Sequence, residues 1–181
     1  MPLAGGARVG IMGLGRIGLR AAETLRAMGF DVAGWSRSGR AVDGIEAFGA
    51  GAMETFLARS DILICLLPLT AETRGLMDAA FFAKLPRGAM LVHAGRGAQL
   101  DMAALKGALD TGQLASAMLD VTNPEPLPAD HWAWADPRLV ITPHVAANTD
   151  AREGAAQVLE VLRASRSGAP IPGLVDQARG Y

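Results

Sequence analysis

"VGIMGLGRIG" (residues 9–18) reads as a buried strand running into a glycine-rich turn and then a helix. Gly13, Gly15 and Gly18 fit the pattern G-x-G-x-x-G. The first glycine permits a tight turn, the second lets backbone approach a pyrophosphate, and the third lets helix and strand pack closely. The backbone N–H groups of the first helical turn, at Arg16 and Ile17, then face the phosphates. In a chain with 22 glycines the pattern alone is weak. Here an apolar strand precedes it and an amphipathic helix follows over 16–28. A second strand over 31–35 comes at the interval that a βαβ unit needs. The stretch therefore predicts a dinucleotide site.

Working outward, apolar runs alternate with helical patterns along the whole chain. Further strands are expected over 61–67, 89–93, 115–119 and 139–142, and helices over 53–59, 78–84, 100–110 and 149–165. Several of the strands are apolar at every residue, which requires cover on both faces. The expected fold is α/β: a doubly wound parallel sheet, a Rossmann-type dinucleotide-binding domain. It is expected to occupy residues 1–167, with 168–181 leaving it as a Pro- and Gly-containing tail. Residues 123–137, rich in Pro, Asp and Trp, form a long loop, and such loops in compact domains are usually functional.

The end of the second strand selects the dinucleotide. An acidic residue there would take the ribose hydroxyls of NAD. This chain has Ser36, Arg37 and Ser38 instead. Arginine neutralises a 2′-phosphate and serine hydrogen-bonds it, whereas a carboxylate would repel it. NADP(H) is expected over NAD(H). The opposing reading is a solvated loop arginine, favoured by a composition in which only Lys84 and Lys106 among 17 basic residues are lysine.

Composition bounds the alternatives. Half of the 181 residues are apolar and 19% are charged, as in a globular chain. A formal net charge of −1 supplies no pull towards nucleic acid or a membrane surface. The longest apolar run, 62–69, contains Pro68 and is too short to span a bilayer. The single cysteine, Cys65, rules out a disulfide within the chain. With no leader pattern at the start, the expectation is a cytoplasmic protein without nucleic-acid or membrane partners.

Three more segments place polar residues at the C-terminal ends of strands, where open α/β sheets bind ligands. They offer Arg96, then Asp120 and Glu125, then His144. Singly, each has a bland reading: a turn arginine, a solvated carboxylate, a satisfied histidine. Together, "GLGRIG", "WSRS", "LLPLTAETRGLMD", "LPRGAMLVHAGRG", "AMLDVTNPEPLP", "PRLVITPHVAA" and "VDQARGY" resemble the D-isomer-specific 2-hydroxyacid dehydrogenases, in particular their glyoxylate/hydroxypyruvate reductase branch. The likeness runs over nearly the whole chain with the motifs in order.

The resemblance implies roles. The substrate is a small 2-keto acid. Arg96 pairs with its carboxylate and polarises the keto oxygen. His144 gives the proton to the nascent alkoxide, and Glu125 orients the imidazole. Asp120 holds the nicotinamide carboxamide, with backbone near Leu67 and Ala146 lining the cofactor. No metal is implied. His93, which ends a strand, is expected to serve packing or hydrogen bonding. The family commonly forms homodimers through this domain, with Trp132 and Trp134 as surface that would be covered.

The family's substrate domain comes mostly from residues before the glycine turn, and here only 1–7 precede the first strand. The expectation is a chain that binds cofactor and turns substrate over slowly or not at all. Two readings from other classes stay open. One is a non-catalytic nucleotide-binding module or corepressor-like protein. The other is a methyltransferase, whose ligand has no phosphate for Ser36–Ser38 to meet.

Overall fold

A computed structural model describes residues 6–147 and 150–175. In chain order these form β1 (Arg8–Met12), α1 (Arg16–Ala27), β2 (Asp31–Trp35), β3 (Glu46–Phe48), α2 (Met53–Ala58) and β4 (Ile62–Cys65). Then come α3 (Ala79–Phe82), β5 (Ala89–His93), α4 (Met102–Asp110), β6 (Leu114–Leu119), β7 (Leu139–Ile141) and α5 (Ala151–Ser167). One-turn 3-10 helices cover Gly97–Gln99 and Trp132–Trp134.

The strands make one sheet in the order β3-β2-β1-β4-β5-β6-β7, with every pairing parallel. The chain winds outward from β1 through β2 to β3. It then returns to lay β4 on the other side of β1, so the winding direction reverses between β1 and β4. This is the expected doubly wound Rossmann-type α/β fold, and the reversal point is where such sheets bind ligands.

The apolar strand residues divide by pleat between two faces. Val9, Ile11, Val32, Ile62 and Ile64 pack with Ala22 and Leu25 of α1 on one face. Met12, Ala33, Trp35, Leu63, Cys65 and Leu91 pack with Phe56 and Leu57 of α2, Phe81 and Phe82 of α3, and Leu105 of α4 on the other. Full burial of one such large side chain is worth about 1.5–3 kcal/mol. Two covered faces explain why the strands read as unbroken apolar runs rather than alternating ones.

The chain packs as two compact units, Met1–His144 and Val145–Tyr181. The first contains the whole sheet. In the second, Asp150 caps α5 by accepting from the N–H groups of Arg152 and Glu153, and Gly168 ends the helix at φ 70°. Residues 148–149 and 176–181, which include the start of the expected last helix and the end of the expected tail, lie outside the described residues.

Some boundaries differ from expectation. β4 stops at Cys65 rather than 67, because its neighbour β1 ends at Met12 and the Leu66 N–H makes the last bond, to the Met12 carbonyl. The three-residue edge strand β3 lacks the length for a visible periodicity.

Candidate active site

At the C-terminal end of β1, Gly13 takes φ +103°, and a Cβ there would press on the Leu66 carbonyl. Its N–H donates to the Trp35 carbonyl at 2.9 Å, which ties the turn to the end of β2. A Cβ at Gly18 would strike the Gly13 carbonyl oxygen, so the third glycine is required by packing. Gly15 is different. Its backbone is extended, and a Cβ there would meet no atom of the described residues within 4 Å. Packing therefore does not require glycine at this position, and the space beside it is open. Gly15 is also the N-cap of α1, with no side-chain cap and no acid in the first turn. Arg16 and Ile17 are exposed, Ile17 by 62%. A helix start with uncapped amides and an open approach suits an anionic phosphate.

After β2 the chain turns tightly, with the Gly39 N–H donating to the Ser36 carbonyl at 3.1 Å. No acidic side chain follows the strand. Arg37 and Ser38 are exposed, and the Arg37 guanidinium lies 3.9 Å from the Glu72 carboxylate. Both partners are largely in solvent, where such a pair contributes little and leaves the guanidinium exchangeable.

At the other side of the reversal point, β5, β6 and β7 end in register. The Asp120 N–H donates to the His93 carbonyl at 2.9 Å, and the His144 N–H donates to the Asp120 carbonyl at 3.0 Å. This ladder brings the expected Asp120, Glu125 and His144 together. His144 Nδ1 and Glu125 Oε1 are 2.7 Å apart, with both side chains a little under half exposed. The carboxylate accepts the Nδ1 proton, so Nε2 is the ring nitrogen that Glu125 does not engage. His144 is the one non-glycine residue at positive φ (54°) among those described. Left-handed backbone at a side-chain-bearing residue costs on the order of 1–3 kcal/mol and collects at functional sites.

Asp120 is buried and accepts from the Thr142 hydroxyl at 2.6 Å. Asp120, Thr122, Glu125, Thr142 and His144 share an open cleft of about 640 Å³ with Leu127, Ile141 and Trp134. Arg96 does not line it and sits on the neighbouring loop after β5, exposed, with Nη1 donating to the Gly95 carbonyl at 2.7 Å. Leu67 is buried at the loop after β4, and Ala146 lies in the second unit.

The sequence reading gave no site role to Thr142, Thr122 or Trp134. Thr142 had a usable signal: it lies two residues before His144 on the strand end that faces Asp120. Trp132 is half-buried against the core, whereas Trp134 is 50% exposed and donates Nε1–H to the Pro128 carbonyl. Among the described residues no three His, Cys, Asp or Glu side chains are grouped to hold a metal ion. Among them, too, no helix is long and apolar enough to cross a membrane.

Residues 3–146 match the model of the D-isomer specific 2-hydroxyacid dehydrogenase NAD binding domain. The chain belongs to this family. It is 41% identical over 174 residues to glyoxylate/hydroxypyruvate reductase A of Salmonella newport, a match covering 96% of this chain and 56% of that protein. The chain thus spans about half the length of the curated relatives it matches. Among solved structures, a D-isomer specific 2-hydroxyacid dehydrogenase of Xanthobacter autotrophicus Py2, in complex with NADPH and MES, is 46% identical with a TM-score of 0.95. The match covers 98% of this chain and 74% of that one. An NADPH-dependent glyoxylate/hydroxypyruvate reductase of Sinorhizobium meliloti, in complex with NADP and sulfate, is 43% identical with a TM-score of 0.95. Here 99% of this chain and 58% of that one are covered.

Proposed function

We propose that this member of the family serves the NADP(H)-dependent reduction of a small 2-keto acid, such as glyoxylate or hydroxypyruvate, to the 2-hydroxy acid. The observation that carries the reading is the His144–Glu125 pair, held at 2.7 Å on a left-handed backbone at the mouth of a cleft. The reductases and NADP(H) complexes among the relatives support the substrate class and the cofactor.

The residues present fit the cofactor. The amides at the start of α1 and the open side of Gly15 would hold the pyrophosphate. Ser36, Arg37 and Ser38 would hold the 2′-phosphate, Arg37 exchanging its exposed partner Glu72 for it. Asp120, with the backbone near Leu67, would hold the nicotinamide end. When bound, the reduced nicotinamide supplies the hydride for carbonyl reduction.

The chain's own residues do the rest. Arg96 pairs with the substrate carboxylate and places a fixed cation beside the keto oxygen, where negative charge develops. His144, with Nδ1 held by Glu125, presents Nε2 to that oxygen and delivers the proton. A positioned general acid of this kind contributes roughly 10²–10⁴-fold. In this reading residues 1–167 act as the cofactor domain and 168–181 belong with a substrate domain. A homodimer and a cytoplasmic location complete the reading. Exposed Trp134 and Val140 support the first, and the single buried thiol of Cys65 supports the second.

The test is single-turnover oxidation of bound NADPH on mixing the chain with saturating glyoxylate. Keto-acid-dependent oxidation is expected. His144→Ala should bind NADPH as the parent does and lower the rate about 100-fold. Oxidation that ignores the keto acid, or an unchanged rate in His144→Ala, would overturn the reading.

A further inference from the structure

Two fully buried polar side chains, His93 and Gln99, lie beneath the exposed Arg96. Between them they hold both of its backbone groups. Gln99 Oε1 accepts the Arg96 N–H at 2.8 Å, and His93 Nε2 lies 3.0 Å from the Arg96 carbonyl. A carbonyl can only accept, so the ring proton sits on Nε2. Nδ1 is then a bare, buried acceptor with no hydrogen-bond partner among the described residues. An aliphatic side chain would fill this space without an orphaned nitrogen. The imidazole is accounted for by the bond it gives to Arg96.

Gln99 reaches further. Its amide nitrogen donates to the Leu67 carbonyl at 3.1 Å and the Pro68 carbonyl at 3.0 Å, in the loop after β4. The third side is closed by backbone: a Cβ at Gly97 would run into the Thr122 carbonyl, on the segment that leads to Glu125. The Arg96 loop is therefore fastened to the ends of β4, β5 and β6 at once, while the guanidinium itself remains in solvent. A surface arginine with no task needs none of these fastenings.

We propose that His93 and Gln99 are positioning residues for substrate capture, a two-sided clamp that fixes the backbone of Arg96 so that its guanidinium meets the 2-keto acid carboxylate in one orientation. The proposal rests on the reductase reading for the identity of that anion. Neither side chain touches substrate. The neutral ring is suited to the place, because a charged one would repel the guanidinium above it.

The probe is oxamate, a non-reducible 2-keto acid analogue, titrated into the NADPH-loaded chain and read by nicotinamide fluorescence. His93→Leu keeps volume and removes the donor, whereas His93→Gln keeps an N–H donor near the place of Nε2. Oxamate affinity should fall at least tenfold in His93→Leu and stay within threefold of the parent in His93→Gln, with NADPH affinity within threefold of the parent in both. Gln99→Met should lower oxamate affinity at least tenfold. It should also speed amide hydrogen exchange at Arg96 at least tenfold while Leu63 and Leu91 exchange as in the parent. Equal oxamate affinity in the two His93 variants, or unchanged Arg96 exchange in Gln99→Met, would overturn the clamp. A parent chain that binds NADPH but not oxamate fails the reductase reading instead. The Arg96 exchange in Gln99→Met then still decides the clamp.

Discussion

Helices α1 and α4 both begin at the C-terminal edge of the sheet, yet they begin in opposite ways. At α4, Asp101 accepts from the N–H groups of Ala103 at 2.8 Å and Ala104 at 3.1 Å. Asp78 and Asp150 cap α3 and α5 in the same manner. At α1 the capping position is Gly15, with no side chain to accept anything. An Asp cap is worth about 0.5–2 kcal/mol, so this chain forgoes that stability at α1, as it does at α2, which continues the 3-10 turn Ala50–Ala52 and has Ala52 in the capping position. A carboxylate at the Gly15 position would sit against a pyrophosphate. The contrast sets a helix end capped for the fold against one that, in the proposed function, receives a pyrophosphate.

Gly15→Asp breaks the contrast most directly. The extended backbone accepts an L-residue, and no atom of the described residues lies within 4 Å of the new Cβ. The melting temperature should hold or rise as the helix gains its cap. NADPH affinity should fall about 100-fold or more, some 3 kcal/mol, the scale of charge-assisted hydrogen bonds lost and replaced by repulsion. A thermal melt beside a fluorescence titration reads both. A variant that binds NADPH like the parent would remove the special status of α1.

The same division appears on the pH axis. Burial under the Arg96 loop pushes His93 down to about 4. The unfolded chain therefore takes up a proton between pH 6.5 and 4 that the folded chain refuses. Stability from this group is complete above pH 6.5 and is lost as pH falls through the window, by about 3 kcal/mol in full. The structural carboxylates act lower. Arg8 lowers Asp61, Lys106 lowers Asp110, and Arg138 holds Asp136 at about 2, so their contributions are lost mostly below pH 4. Denaturant unfolding at pH 7 and pH 4.5 should show the loss in the parent and a much smaller one in His93→Gln. Equal slopes would move the acid sensitivity away from the Arg96 loop.

The smallest effect belongs to the capped helix. Asp101→Ala should cost about 1 kcal/mol of unfolding free energy and leave NADPH affinity unchanged. A loss of NADPH affinity in this variant would mean that the two helix starts are not independent.

Much of the fold could be read before any coordinates. β1, β2 and β5 fall where unbroken apolar runs place them, because strands covered on both faces leave that trace. β3 could not be read: three residues at a sheet edge carry no period. In the site, the glycine turn and the Ser36-Arg37-Ser38 segment are local in sequence and legible for that reason. Glu125 and His144 come together only through the β6–β7 pairing, and their resemblance to a family motif, not their spacing, made them visible. His93 was legible only as a strand-end residue for packing or hydrogen bonding and Gln99 not at all, since their partner is the backbone of Arg96 and backbone partners leave no mark in side-chain pattern. Thr142 escaped notice because a hydroxyl next to a buried carboxylate reads as an ordinary strand end.

In the proposed NADP(H) site the α1 start and the loop after β2 together hold a nucleotide bearing a 2′-phosphate. Calorimetric titration of NADPH and NADH into the same chain tests it most directly. NADPH should bind about 10- to 100-fold more tightly, the 1–3 kcal/mol of a charge-assisted contact to phosphate, and Arg37→Asp should reverse the order. Equal affinities for the two nucleotides, or a preference for NADH in the parent chain, would contradict the account.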